Sequence, residues 1–148
     1  MQMERKQDHP KKIHEMRLRK APFRAVASGK KTIEMRLFDE KRQAVRVGDY
    51  IRFTLEAGTE AVRAESVRAE NGAAEEVIVE VVALHVHPHF EALYAALIPA
   101  LGKTALGYGE DESADPADML AYYSPSLIER YGVVGIEIKQ KANHDHGI

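Results

Sequence analysis

The sequence predicts an α+β protein, a small mixed β-barrel of about five or six strands with short helices on its flanks. Three observations carry this. Short segments of period-two hydrophobicity recur along the chain. Their spacing is irregular, with no alternating strand–helix series of the kind a doubly wound parallel sheet needs. The chain has 148 residues, 45% apolar and 30% charged, which suits one domain with one core and no staples.

Residues 1–13 are polar, Lys-rich and aperiodic, and read as a flexible N-terminal arm. From His14 to Lys20, Met16 and Leu18 alternate with charges, which predicts a strand. Ala21-Pro22-Phe23 breaks it. Pro22 suits the first turn of a helix, Phe23, Val26 and Ala27 fall at helical spacing, and Gly29 suits the left-handed position that ends it. From Thr32 the period becomes two. Ile33, Met35 and Leu37 face one way, and Thr32, Glu34, Arg36 and Phe38 the other. Residues 39–43 read as a charged loop. Val45, Val47 and Gly48-Asp49 lead through a turn into the alternating strand Tyr50–Leu55.

Residues 57–76 read as a surface insertion or hairpin extension. Ala61-Val-Arg-Ala-Glu65 is nearly repeated by Ser66-Val-Arg-Ala-Glu70, and the turn signal Asn71-Gly72 follows. The β-branched run Glu76–Leu84 predicts a central strand. Phe90–Leu97 has helical spacing, with Pro99 ending it. In Asp115-Pro116-Ala-Asp118 an N-cap is followed by proline at the first helical position and a carboxylate at the third. Ser124-Pro125 repeats that logic for a helix closing at Tyr131-Gly132. Val133–Ile138 is the last strand, so the domain spans 14–139, and 140–148 form a polar, loose tail.

Composition removes several classes of function. Without cysteine there is no disulfide, thiolate metal site or catalytic thiol. No apolar run approaches the roughly 18 residues of a membrane span. The N-terminal stretch has no apolar core after its charges and so does not read as a signal peptide; a cytoplasmic protein is the expectation. Residues 1–54 hold 15 Lys and Arg against 7 Asp and Glu, a balance of +8, and the remainder holds 6 against 16, or −10. A basic first third can attract phosphates. It can equally be neutralised by the acidic remainder folding back on it.

Gly29 to Arg36 concentrates the chemistry. Gly29 permits a tight turn, Lys31 follows at the helix-to-strand junction, and Glu34 and Arg36 project from one strand face about 7 Å apart. A lysine, a carboxylate and a guanidinium in this arrangement can bind a polar planar ligand or a phosphate, or tune a group for proton transfer. The same three residues can also form an ion network on a solvated face. Tyr122 or Tyr123 can stack on a base. As helical neighbours they would point about 100° apart, so at most one of them lines a given cleft. Arg24, Lys41 and Arg42 are candidate phosphate contacts, or part of a charged surface. His85, His87 and His89 alternate, but Pro88 interrupts them and no fourth ligand is evident. No metal or cofactor is expected. Leu106-Gly-Tyr-Gly109 lacks the spacing of a phosphate-binding loop and reads as a loop beside the cleft. Glu110-Asp-Glu112 after it favours a small or locally docked ligand over a long duplex.

Gly29, Lys31, Glu34 and Arg36 together form Gly-x-Lys-x-x-Glu-x-Arg, the signature of the ASCH domain, a branch of the PUA-like β-barrel superfamily. Residues 14–139 resemble that family. The helix before the motif, the following Leu37–Arg42 and Val47–Phe53 agree with it. Leu106–Gly109, Met119–Ser124 and Tyr131–Glu137 are similar to a bacterial subgroup. The resemblance implies a PUA-like barrel whose cleft is lined by the signature residues and binds RNA, a nucleoside or a nucleotide. Some members hydrolyse the amide of N4-acylated cytidines and some are assigned ribonuclease activity. In the amidohydrolases the catalytic set is a lysine, a threonine and a glutamate. The lysine corresponds to Lys31. Glu34 stands where the threonine falls and can take the acid/base role. Glu110 and Glu112 lie in the region of the glutamate.

The leading expectation is therefore an RNA- or nucleotide-binding protein with a cationic cleft. Its ligand contacts would come from Arg24, Gly29, Lys31, Glu34, Arg36, Lys41, Arg42, Tyr122 and Tyr123. A hydrolase using the same cleft is the alternative, with Lys31, Glu34 and Tyr122 as candidate catalytic residues. A small-ligand-sensing or protein-interaction module is the third.

Overall fold

The computed structural model describes residues 10–56 and 75–141. Most of the arm, most of the insertion proposed at 57–76 and most of the tail lie outside them. The described residues form five strands: β1 (Ile13–Leu18), β2 (Ile33–Leu37), β3 (Tyr50–Leu55), β4 (Glu76–His87) and β5 (Val133–Gln140). Four α-helices flank them: α1 (Lys20–Ser28), α2 (Glu40–Gln43), α3 (Phe90–Leu101) and α4 (Pro125–Tyr131). Two 3-10 turns, Lys103–Leu106 and Pro116–Ala121, complete the set. The strands lie in the order β1-β3-β4-β5-β2. Only β1 and β3 are parallel; the other pairs are antiparallel. The mixed sheet curls into a half-barrel, matching the predicted fold class.

Alternation decides what each strand buries. Met16 and Leu18 of β1 and Ile51, Phe53 and Leu55 of β3 turn inward, where they meet Phe23 and Val26 of α1. A second apolar cluster covers the other side of β2 and β5, built from Ile33, Met35, Leu37 and Val133 against Phe90, Leu93 and Leu97 of α3. β5 is buried on both sides and so reads as a continuous apolar run. Gly135 belongs to this close packing. A Cβ there would lie 3.1 Å from Ile33 and 3.3 Å from both Leu93 and Leu97.

Three local expectations need correction. Residues 39–43 are not a loop, because Asp39 accepts a hydrogen bond from the Arg42 N–H and caps the single turn α2. Pro99 does not end α3. In the last turn it forfeits one hydrogen bond, and the helix runs on to Leu101 before Gly102 closes it. β4 extends to His87, past a bulge between Val81 and Ala83. The caps at Asp115 and Ser124 form as the sequence indicates, their side chains accepting from the N–H groups of Ala117 and Leu127.

The half-barrel has an open seam between its edge strands, β1 and β2. The Lys12 and Leu18 carbonyls of the β1 segment accept hydrogen bonds from the β3 segment. By alternation, those of Glu15 and Arg17 point away from it. Two side chains take them up. Arg36 Nη2 donates to the Arg17 carbonyl at 2.9 Å, and Lys41 Nζ donates to that of Glu15 at 2.8 Å. Cationic side chains from β2 and α2 thus stitch the seam where strand pairing stops.

Candidate functional site

The site begins at the end of α1. Gly29 adopts φ +88°, the left-handed region, and its N–H closes on the Val26 carbonyl. The chain reverses there, the Lys31 N–H bonds to the Ala25 carbonyl, and β2 follows. Lys31 is only 7% exposed. Its Nζ lies 2.6 Å from the Ile33 carbonyl, 3.3 Å from the Leu106 carbonyl and 3.5 Å from Glu34 Oε1. Three acceptors match the three N–H groups of an ammonium. Gly107, at φ +106°, passes directly over the stem. A Cβ there would sit 3.3 Å from Lys31 Cδ.

Glu34 is 5% exposed and shares its carboxylate between two cations. Oε1 faces Lys31, and Oε2 accepts from Arg36 Nε at 2.6 Å. Burial alone would lower the Arg36 pKa, but the Glu34 carboxylate outweighs it and the net shift is upward. The three signature side chains therefore form one chain of charge, Lys31–Glu34–Arg36, buried at Lys31 and Glu34 and half-buried at Arg36. The ion network that the sequence allowed does form, but beneath the cleft and not on a solvated face.

This chain of charge floors a cleft of about 490 Å³. One wall comes from α1 through Ala21, Pro22 and Ala25, with Arg17 and Arg19 at the end of β1. The opposite wall comes from residues 106–123. Tyr122 and Tyr123 both line it, contrary to the helical argument. They sit at and just beyond the end of a 3-10 turn, so the 100° rule does not govern them. Tyr123 stacks on Phe90, with ring centroids 6.0 Å apart, and burial pushes its phenol pKa up. Tyr122 is 60% exposed on the rim, with the Arg19 guanidinium 5.9 Å from its ring centroid.

The loop expected beside the cleft brings Tyr108 into it, and other contributors carry no such signal. Tyr108 lines the cleft, donates to Asp118 Oδ2 at 2.9 Å and lies 2.8 Å from the Tyr94 hydroxyl. Burial raises the phenol pKa of both tyrosines. Asp118 was legible only as a helix-start carboxylate. Arg17 was legible as an outward residue alternating with Met16 and Leu18, which did not reveal that its surroundings form a cleft. Of the two acidic candidates, Glu112 lines the cleft and Glu110 does not; Glu112 Oε1 accepts from the Gly109 N–H at 2.6 Å.

The other candidates lie elsewhere. Arg24 is exposed on α1 and does not line the cleft. Lys41 and Arg42 line a second cavity at the seam. His85 pairs with Glu137 at 2.9 Å, while His89 caps α3 by accepting from the Ala92 N–H. Among the described residues no group of three or more His, Asp or Glu side chains is arranged to hold a metal.

The ASCH domain family model matches residues 16–141 of this chain. The crystal structure of the hypothetical protein PH0355 is similar, with a TM-score of 0.59 and 25% identity, over 88% of this chain and 99% of that one. The solution NMR structure of protein PF0455 from Pyrococcus furiosus is also similar, with a TM-score of 0.56 and 25% identity, over 86% of this chain and 96% of that one. No curated protein matches.

Proposed function

Because the chain belongs to the ASCH domain family, we propose that its cleft binds RNA or a nucleotide. The observation that supports this best is the Lys31–Glu34–Arg36 chain of charge lying at the floor of a cleft with an exposed aromatic, Tyr122, on its rim. The floor presents a fixed carboxylate and a guanidinium, which suit the donor and acceptor edge of a base. The rim tyrosine suits its face. Within the family we assign the chain to the bacterial subgroup that shares Leu106–Gly109 and Met119–Ser124.

The test is RNA and nucleoside affinity in a Lys31→Ala/Glu34→Ala variant, with circular dichroism to check folding. We expect binding to be lost. A folded variant with wild-type affinity overturns the reading, and Tyr122→Ala provides a milder probe of the rim.

A second reading, hydrolysis in the same cleft, draws support from the carboxylates of Glu112 and Asp118 on its far wall. With three acceptors around Nζ, Lys31 is better suited to orienting Glu34 than to acting as a nucleophile. Acid/base work would then fall to a carboxylate. Incubation with N4-acylated cytidines and with RNA, compared with Glu34→Gln and Glu112→Gln, decides this. No product above the variants' background removes it.

A further inference from the structure

We propose that the seam between β1 and β2 is a phosphate subsite continuous with the cleft, so that the ligand is a nucleotide or an RNA strand and not a free nucleoside. This rests on the cleft reading above. The seam holds a cavity of about 640 Å³, lined by Arg17, Arg36, Lys41 and Arg42 together with Glu15, Met16, Thr54 and Glu56. Arg17, Arg36 and Glu56 also line the main cleft, so one ligand can occupy both.

Lys41 and Arg36 are held in place by neutral or already shared partners, and Arg42 by the Asp39 carboxylate. Lys41 and Arg36 are anchored to the carbonyls of Glu15 and Arg17. Two residues along a strand place these anchors roughly 7 Å apart. That separation leaves room for a phosphate between an ammonium and a guanidinium. Glu15 directs a carboxylate oxygen to Arg52, at 2.5 Å. Glu34 faces Lys31 as well as Arg36. Arg42 reaches Asp39 through Nη1 at 3.3 Å, and its Nε is buried with no hydrogen-bond partner among the described residues. A buried guanidinium N–H without an acceptor is costly, and the Arg42 side chain gains if it shifts to bring that N–H to an anionic oxygen in the cavity. The crowding has an independent sign. Burial, and then the neighbouring Arg42 and Arg36 charges, lower the Lys41 pKa.

The experiment follows the Arg42 Nε–Hε signal of the full-length ¹⁵N-labelled chain by NMR. Cytidine, cytidine 5′-monophosphate, cytidine 3′-monophosphate and inorganic phosphate are added separately at low salt. At least one monophosphate is expected to bind about tenfold or more tightly than cytidine and to move the Arg42 signal. A single charge-assisted contact is enough for that factor. In Arg42→Gln and in Lys41→Gln the ratio of monophosphate to cytidine affinity should collapse to about one. Equal binding of cytidine and both monophosphates with the Arg42 signal unmoved overturns the subsite and leaves the cleft reading standing. A phosphate advantage that survives both variants also overturns it. If inorganic phosphate moves the Arg42 signal while cytidine disturbs no cleft residue, the subsite stands and the cleft reading falls. No response to any of the four overturns both.

Discussion

β2 and the C-terminal half of β4 present the same kind of pattern and end in different places. Each carries ionisable side chains at every second position, Glu34 and Arg36 on one, His85 and His87 on the other. On β2 the alternate face is roofed by α1 and by residues 106–123, so Glu34 is buried, Arg36 is largely covered, and the two satisfy one another. On β4 the histidines remain partly exposed, and His85 finds a single partner on the neighbouring strand. Alternation puts residues on one face. What covers that face decides whether they become a site.

The largest test of this contrast is Glu34→Ala. It leaves Lys31 and Arg36 without their shared carboxylate in a buried setting, which should cost about 3–5 kcal/mol. Urea denaturation measures it. A loss below about 1 kcal/mol would mean that the charges of β2 are no more coupled than those of a surface, and the contrast with β4 would fail. Gly107→Ala should cost less, about 1–2 kcal/mol for the left-handed backbone. Its Cβ would also press on Lys31 Cδ at 3.3 Å. We expect weaker nucleotide binding even in a variant that remains folded, because the displaced Lys31 no longer holds Glu34 in place.

A pH measurement separates two ways of burying a carboxylate. Asp49 is also buried, yet its partners are His14 at 2.8 Å and the N–H groups of Arg46 and Lys12. Burial alone would raise its pKa, but these hydrogen bonds outweigh it and the net shift is downward. Above the unfolded value of about 3.9 the carboxylate is ionised in both states and its stabilising contribution is fully present. As pH falls below that value the unfolded chain takes up the proton first, so stability is lost down through the folded pKa. Asp49→Asn should flatten the acid limb of a stability–pH curve. An unchanged limb would place the acid sensitivity elsewhere.

The sequence carried much of this, and its failures share a cause. Period-two segments located β1, β2 and β3, apolar β-branched runs located β4 and β5, and caps with proline located two helix starts, because these depend on neighbours within a turn. Gly29, Lys31, Glu34 and Arg36 were legible as a group for the same reason. Tyr108 was legible only as part of a loop beside the cleft, and Asp118 and Arg17 not as cleft residues at all, because each enters the cleft through a contact between segments distant in the chain. The Tyr122–Tyr123 error had a different origin. Neighbours on a helix point about 100° apart, but the backbone there is the exit of a 3-10 turn. The seam was invisible because it is defined by the absence of strand pairing, which no local pattern encodes.

The smallest expected effect lies on β4. His85 and Glu137 are each about 30% exposed on their side chains, so solvent screens their 2.9 Å contact. A double-mutant cycle with His85→Gln and Glu137→Gln isolates the pair from the effects of either residue alone. We expect a coupling of no more than about 1 kcal/mol and no change in nucleotide affinity. A coupling near 3 kcal/mol would place this pair on the scale of the buried β2 charges despite its exposure, and burial could then no longer explain why one alternating strand builds a site and the other does not. A small coupling sharpens the contrast, since the two strands would then share a pattern and a sheet and differ chiefly in the segments that cover them.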